Sequence, residues 1–390
     1  MYPVSIRYFC QHELISTSIR YYAGLVRYFL YRAVTSRNFF AHIHSLAGIK
    51  ANEFIIAQYR LCHDRNFASL RNMYGYWRNL WHIRASYRKM DMNHANTIDP
   101  EKFADKSNEE LIRIEREIAK RYIGGISWFM VFWPFANLIC WLALWPLVLT
   151  GTLSIWVACP IAFLNISWCY LPSHEAQHDI YARPGEKLRW LNELIGHASV
   201  IPLVSSYRVL KMTHMEHHKH TNDPDLDPDY DTHAPNALAV ILKSFKMRNP
   251  RSESNASYER TLDRLDPDEA QLAKRDGLVI YLSYIAILFA MAASGNALEA
   301  WLLWVVPLVF ATIYIRFFLA WAPHHPGQKK GRYRDTRAFK SIFGVIGTMG
   351  MTVHIIHHLH PRIPLDRTPA AFREMRPILE ARDCELGGLH

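Results

Sequence analysis

Four apolar runs constrain the fold of this 390-residue chain more than any other feature, at about 123–149, 153–171, 278–293 and 297–321. A helix needs about 20 predominantly apolar residues to cross a ~30 Å hydrocarbon core. Lipid offers a bare backbone no hydrogen bonds, so a chain placed there must be helical or closed into a barrel. Thr150-Gly151-Thr152 breaks the first pair of runs and Ser294-Gly295-Asn296 the second, so each pair reads as a helical hairpin. The expected fold is therefore all-α and integral to a membrane, with four transmembrane helices in two hairpins and a helical cap built from the polar segments.

Loop charge orients these spans. Neither hairpin turn carries Lys or Arg, whereas the other side carries Lys120, Arg121, Arg183, Lys187, Arg189, Lys274, Arg275, Lys329, Lys330, Arg332 and Arg334. Positive charge marks the cytoplasmic side, which places both termini and all large polar segments there. Arg316 falls near the far end of the fourth run, where its long side chain is expected to reach the headgroups. Residues 99–121 read as a soluble helix, and Trp190 to Ser205 is too interrupted to span and is expected to lie in the interface.

The formal charge of +10 sits entirely in residues 1–90, which hold 13 Lys+Arg against Glu13, Glu53 and Asp64. Two domains are expected: a basic Arg/Tyr-rich extension over 1–90, and a membrane domain over 91–390. The extension shows no apolar core of a secretory signal. It fits surface helices, a targeting segment, or an upstream stretch foreign to the native chain, since Met90 and Met92 stand at the change in composition. The six cysteines form no CxxC pair and suggest neither a disulfide framework nor a zinc site. No nucleic-acid partner is expected.

The chemistry is carried by histidine. Three clusters occur: His174-Glu-Ala-Gln-His178, His214-Met-Glu-His217-His218 and His354-Ile-Ile-His357-His358. Spacings of i,i+3 and i,i+4 put side chains on one helix face. With 21 histidines in the chain, HxxHH is expected by chance roughly 0.06 times, and two copies are present. The predicted topology sets all three clusters on one side of the membrane, so eight imidazoles can converge. Eight nitrogen donors exceed the needs of one ion, and structural zinc takes four ligands, usually including Cys. Imidazole suits iron, and two irons can use O2 to attack an unactivated C–H bond. A di-iron site is the expectation, with no catalytic residue beyond the metal ligands.

Other histidines carry weaker signals. His324 and His325 follow the fourth run directly, and one of them is a candidate ninth ligand. His220 faces away from the second cluster, and His197 and His360 read as ordinary buried histidines. The loop from Asp223 to Asp231 reads as a solvated Asp-Pro turn, or as a source of carboxylates that orient metal-binding imidazoles. His325-Pro326-Gly327-Gln328 is not read as a haem-binding motif, because its fourth residue is wrong and no soluble domain surrounds it.

HEAQH, HMEHH and HIIHH, with these separations and two hairpins, resemble the histidine-box membrane fatty acid desaturases. HHKHTNDPDLDPD and HHLHPRIP look like the acyl-lipid desaturase and β-carotene hydroxylase branch. The resemblance covers roughly residues 120–380. It implies a di-iron centre held by His174, His178, His214, His217, His218, His354, His357 and His358, with an extra ligand at His324 or His325. It also implies O2 as co-substrate, a lipid or acyl substrate, and electrons from a separate ferredoxin or cytochrome b5. The leading expectation is a desaturase that introduces a double bond into a fatty acyl chain. The alternatives are a hydroxylase or ketolase of a carotenoid, sterol or other lipid, and a non-catalytic membrane metal carrier. A carrier needs polar residues along its spans, and these spans offer almost no ionisable group beyond Glu299 and Arg316.

Overall fold

The structure, a computed structural model, describes residue 103 and residues 105–246 and 252–387. The readings for residues 1–90, their boundary at 91, and the start of the helix expected at 99 lie outside those residues. Among the described residues all regular structure is helical. Four helices among these residues are long and apolar enough to cross a membrane: α2 (Trp128–Leu149), α3 (Ile155–Gln177), α8 (Pro267–Ala293) and α9 (Ala297–His324).

Local chemistry shifts each span from its expected edge. Gly124 and Gly125 adopt φ of +90° and +67°, which ends the preceding chain before Ser127 caps α2. The first span therefore begins at Trp128 instead of 123. The second helix runs on to Gln177 and carries His174 in its last turn. The third starts at Pro267, well before the apolar run at 278. Asp266 accepts from the N–H groups of Asp268 and Glu269, and Pro267 opens the helix where its missing N–H costs nothing.

The spans share a core of aromatic and small residues. Trp141 and Trp304 meet edge to face at 5.1 Å, and Ala158, Ala162 and Ala311 are fully buried where α3 and α9 approach. Asn137 of α2 and Asn165 of α3 satisfy each other: Asn165 Nδ2 donates to Asn137 Oδ1 at 2.8 Å, and Asn137 Nδ2 donates to Asn165 O at 2.9 Å. The outer faces are strongly apolar, with Trp156 at 73% and Phe289 at 75% exposure, which suits contact with lipid.

The polar segments form shorter helices: α1 (Asn108–Tyr122), α4 (Arg189–Ser199), α5 (Tyr207–His220), α6 (Ala237–Phe245), α7 (Glu253–Asp263), α10 (His354–Leu359) and α11 (Thr368–Ala381). Ser107 and Glu110 form a capping box on α1. The segment expected in the interface contains α4, with Trp190 exposed and Ile195 buried. A second core of Ile118, Ala119, Ile355, Ile356, Phe372, Met375, Ile378 and Leu379 joins α1, α10 and α11. It holds α10 by the two isoleucines between His354 and His357.

Arg316 departs from its expected place. Instead of reaching the headgroups it is 5% exposed, and its guanidinium donates to Ser254 Oγ at 3.0 Å and Asp231 Oδ2 at 3.3 Å. The polar chain after α5 folds over it, and a carboxylate answers its charge inside the protein.

Candidate metal centre

The histidine spacing works as helix geometry requires. The end of α3 presents His174 and His178, α5 presents His214, His217 and His218, and α10 presents His354, His357 and His358. Ring nitrogens of His174, His178, His214 and His357 all lie within 4.8 Å of one another, and so do those of His217, His324 and His358. His218 joins the two groups: its Nε2 lies 3.1 Å from that of His214 and 3.0 Å from that of His357, and its ring stacks on His358 at 4.2 Å. His354 packs 4.8 Å from His358 and 5.0 Å from His357 between ring centroids.

The nitrogen spacing fits a cation. His178 Nε2 and His214 Nε2 are 2.9 Å apart, continuing the His214–His218–His357 series. Two nitrogens bound at right angles to one ion, each about 2.0–2.1 Å from it, stand about 3 Å apart. His174 Nδ1, His324 Nε2, His354 Nδ1, His357 Nδ1 and His358 Nε2 are buried with no hydrogen-bond partner. Buried polar atoms are normally satisfied; of these, His324 Nε2 and His358 Nε2 belong to the second group of converging rings, where an ion would give each a partner. Burial holds His178, His214, His218, His354, His357 and His358 well below the ordinary imidazole pKa. They are neutral at pH 7, each with a lone pair to donate.

Two imidazoles have their tautomers set from behind. His217 Nδ1–H donates to Asp227 Oδ1 at 2.9 Å, and Asp227 is 3% exposed. His324 Nδ1–H donates to the Asp335 carbonyl at 3.1 Å. Each bond turns the ring's Nε2 toward the cluster, as carboxylates and carbonyls behind metal-bound imidazoles do. The acidic loop thus divides its labour. Asp227 supports a histidine, Asp229 accepts from Tyr258 Oη at 2.8 Å, Asp231 answers Arg316, and Asp223 pairs with Lys330 at 2.7 Å. Asp335 had no sequence signal, because it acts through its backbone.

Of the two histidines after the fourth span, His324 enters the second group and His325 does not. The His325 ring lies on Trp321 at 4.6 Å. His197 packs on Tyr207, His360 Nε2 meets Glu115 Oε1 at 2.9 Å, and His220 faces Glu216. None of these three joins the cluster. Substituting His325 with Ala is expected to leave metal binding near parental, whereas His324→Ala lowers it; equal losses in the two variants would remove the distinction.

Beside the cluster lies a cavity of about 450 Å³, with His174, His214, His217 and His354 in its wall. Leu203, Val204, Val209, Leu210, Ile315 and Leu319 supply apolar surface, and Tyr170, Asp229, Thr232 and Tyr258 supply polar groups.

Comparison with known proteins agrees with this geometry. Residues 150–387 match the family model "Fatty acid desaturase". An sn-1 oleoyl-lipid 12-desaturase of Synechocystis sp. is 28% identical over 143 residues, covering 35% of this chain and 40% of that protein. A Delta(12) fatty acid dehydrogenase of Crepis alpina is 22% identical over 244 residues, covering 53% of this chain and 62% of that protein. A Beta-carotene ketolase of Paracoccus sp. is 25% identical over 229 residues, covering 53% of this chain and 76% of that protein. The chain thus spans less than two thirds of the first two relatives. The family match covers more than half of the chain, which belongs to the fatty acid desaturase family.

Proposed function

We propose that this member of the fatty acid desaturase family is an O2-dependent di-iron oxidoreductase that introduces a double bond into a lipid acyl chain. The observation that carries this reading is the cluster of nine imidazoles, seven of them buried and His218 and His358 half-buried, in two overlapping groups beside a largely apolar cavity. His174, His178, His214 and His357 would hold one iron and His217, His324 and His358 the other, with His218 and His354 placed between or beside them. Bound there, the iron pair supplies the O2 chemistry that removes hydrogen from unactivated carbon.

The protein's part is placement and exclusion. Leu203, Val209, Leu210, Ile315 and Leu319 line the path of an extended chain and keep its carbons beside the histidines. Burial of His174, His214, His217 and His354 keeps bulk water from the reacting carbon, which confines a strong oxidant to the substrate. Asp227 and the Asp335 carbonyl hold two imidazoles in the donating orientation. Electrons come from a separate redox protein, a ferredoxin or cytochrome b5.

A second reading, oxygen insertion into a carotenoid or other lipid, is favoured by two observations. The ketolase match covers 76% of its relative, against 40% for the oleoyl-lipid desaturase and 62% for the fatty acid dehydrogenase. The cavity wall also carries Tyr170, Asp229, Thr232 and Tyr258, which suit a substrate bearing oxygen. Mass spectrometry of lipids from an expressing host decides: loss of two hydrogens supports desaturation, gain of an oxygen supports the second reading, and an unchanged lipid profile with iron bound contradicts both.

The spans form two hairpins with the metal on the cytoplasmic side. Reporter tags at 151 and 295 are expected on the non-cytoplasmic face and a tag at 222 in the cytoplasm. This orientation follows from the basic flanks of α8 and the cap, against turns that carry no Lys or Arg. A tag at 222 reporting the far side would overturn it and close the iron to soluble cytoplasmic donors.

A further inference from the structure

The cavity has an inner end and a mouth. Among its lining residues His174, His214, His217 and His354 are buried, whereas Val204, Ser205, Val209, Gly277 and Tyr281 are partly or largely exposed, as is Asn255 of α7. Gly277 and Tyr281 stand one turn apart on α8 and share a face. Leu278 and Leu282 beside them are exposed apolar residues, so the mouth opens where the polar start of α8 gives way to its lipid-facing run. An ion pair fixes the distance across it: Arg208 Nε of α5 meets Asp276 Oδ2 of α8 at 2.9 Å, next to Gly277 in the chain.

Packing and backbone leave the glycine unexplained. Gly277 has no positive φ, and a Cβ built on it would meet only Ser206 Cβ and Val209 Cγ2, both at 4.0 Å. Alanine would fit at ordinary contact distance and strengthen the helix, since glycine is the weaker helix former in an interior position. What glycine provides is open space between α5 and α8 at the mouth. A side chain reaching past Cβ would enter the gap that the Arg208–Asp276 pair holds at fixed width.

We propose that Gly277 sets the width of a membrane-level mouth through which lipid substrate reaches the histidines, and so acts as a specificity-determining residue. The inference rests on the proposed function for the identity of what passes, but on the cavity alone for where it passes. The occupant is an apolar chain entering from the bilayer boundary, because the flanks of the mouth are apolar and its inner wall is lined with aliphatic side chains.

The test uses the full-length protein in nanodiscs, with cis-parinaric acid, a fluorescent polyene fatty acid, as probe. Gly277→Ala, Gly277→Val and Gly277→Phe are compared with the parent for probe affinity, Tm and iron content. Gly277→Ala is expected to match the parent in binding, with Tm equal or higher. Affinity should then fall with side-chain size, by at least about tenfold in Gly277→Phe, while iron content stays parental in all three. Parental affinity in Gly277→Val and Gly277→Phe would overturn the proposal. If Gly277→Phe does not fold, Gly277→Val decides by the same criterion. Failure of the oxidoreductase reading is seen separately, as unchanged host lipids from a parent protein that still binds the probe.

Discussion

Replacing His214 or His357 by alanine is expected to abolish product formation while leaving the protein in the membrane. Each of these rings places Nε2 about 3 Å from other imidazole nitrogens of the cluster: His214 touches His178 and His218, and His357 touches His218. Alanine removes one lone-pair donor from the set and leaves the ion short of a ligand. Removing only a group that supports a metal ligand costs about 10–100-fold in affinity or activity, and removing the ligand itself should cost more. Insertion is driven by the apolar spans, so the variant chains should still fractionate with membranes. Lipid mass spectrometry alongside immunoblots of the membrane fraction checks this. Turnover retained in either variant would take that residue out of the metal shell.

Asp227→Asn carries the second largest expected effect, a loss of about 10–100-fold in metal affinity or turnover. The Asp227 carboxylate accepts from His217 Nδ1–H and from the backbone N–H groups of Asn222 and Asp229. Burial is the largest single influence and would depress the His217 pKa, but the charge and hydrogen bond of Asp227, with the nearby Asp229 and Asp335, together outweigh it and lift it to about 9. The carboxylate is thus a strong partner for Nδ1–H. An amide of the same shape can instead offer its NH2 to Nδ1, and the imidazole then turns its proton toward the cluster. Side-chain volume is unchanged, so a loss of iron with parental Tm reports orientation and not packing. Parental iron and parental turnover in Asp227→Asn would sink this account of the loop.

Legibility in the sequence followed how local the cause was. The three clusters were readable because i,i+3 and i,i+4 spacing fixes a helix face whatever surrounds it. Four long apolar runs were readable for the same reason, since their composition alone demands lipid or a core. Choosing between His324 and His325 required knowing which ring meets the Asp335 carbonyl, a contact made across 11 residues of irregular chain. The acidic loop offered several carboxylates with equal claims, and only the fold singles out Asp227 as the one on His217. Arg316 was placed at the headgroups because its partners, Asp231 and Ser254, lie 85 and 62 residues away in sequence. Gly277 gave no signal in the sequence, because its meaning comes from the cavity beside it.

Nine converging imidazoles in two overlapping sets are expected to hold a pair of iron ions. Metal analysis of purified, aerobically active protein tests this most directly. About two irons per chain are expected, the number that two overlapping sets of imidazole donors can hold. Active protein containing one zinc and no iron would contradict it.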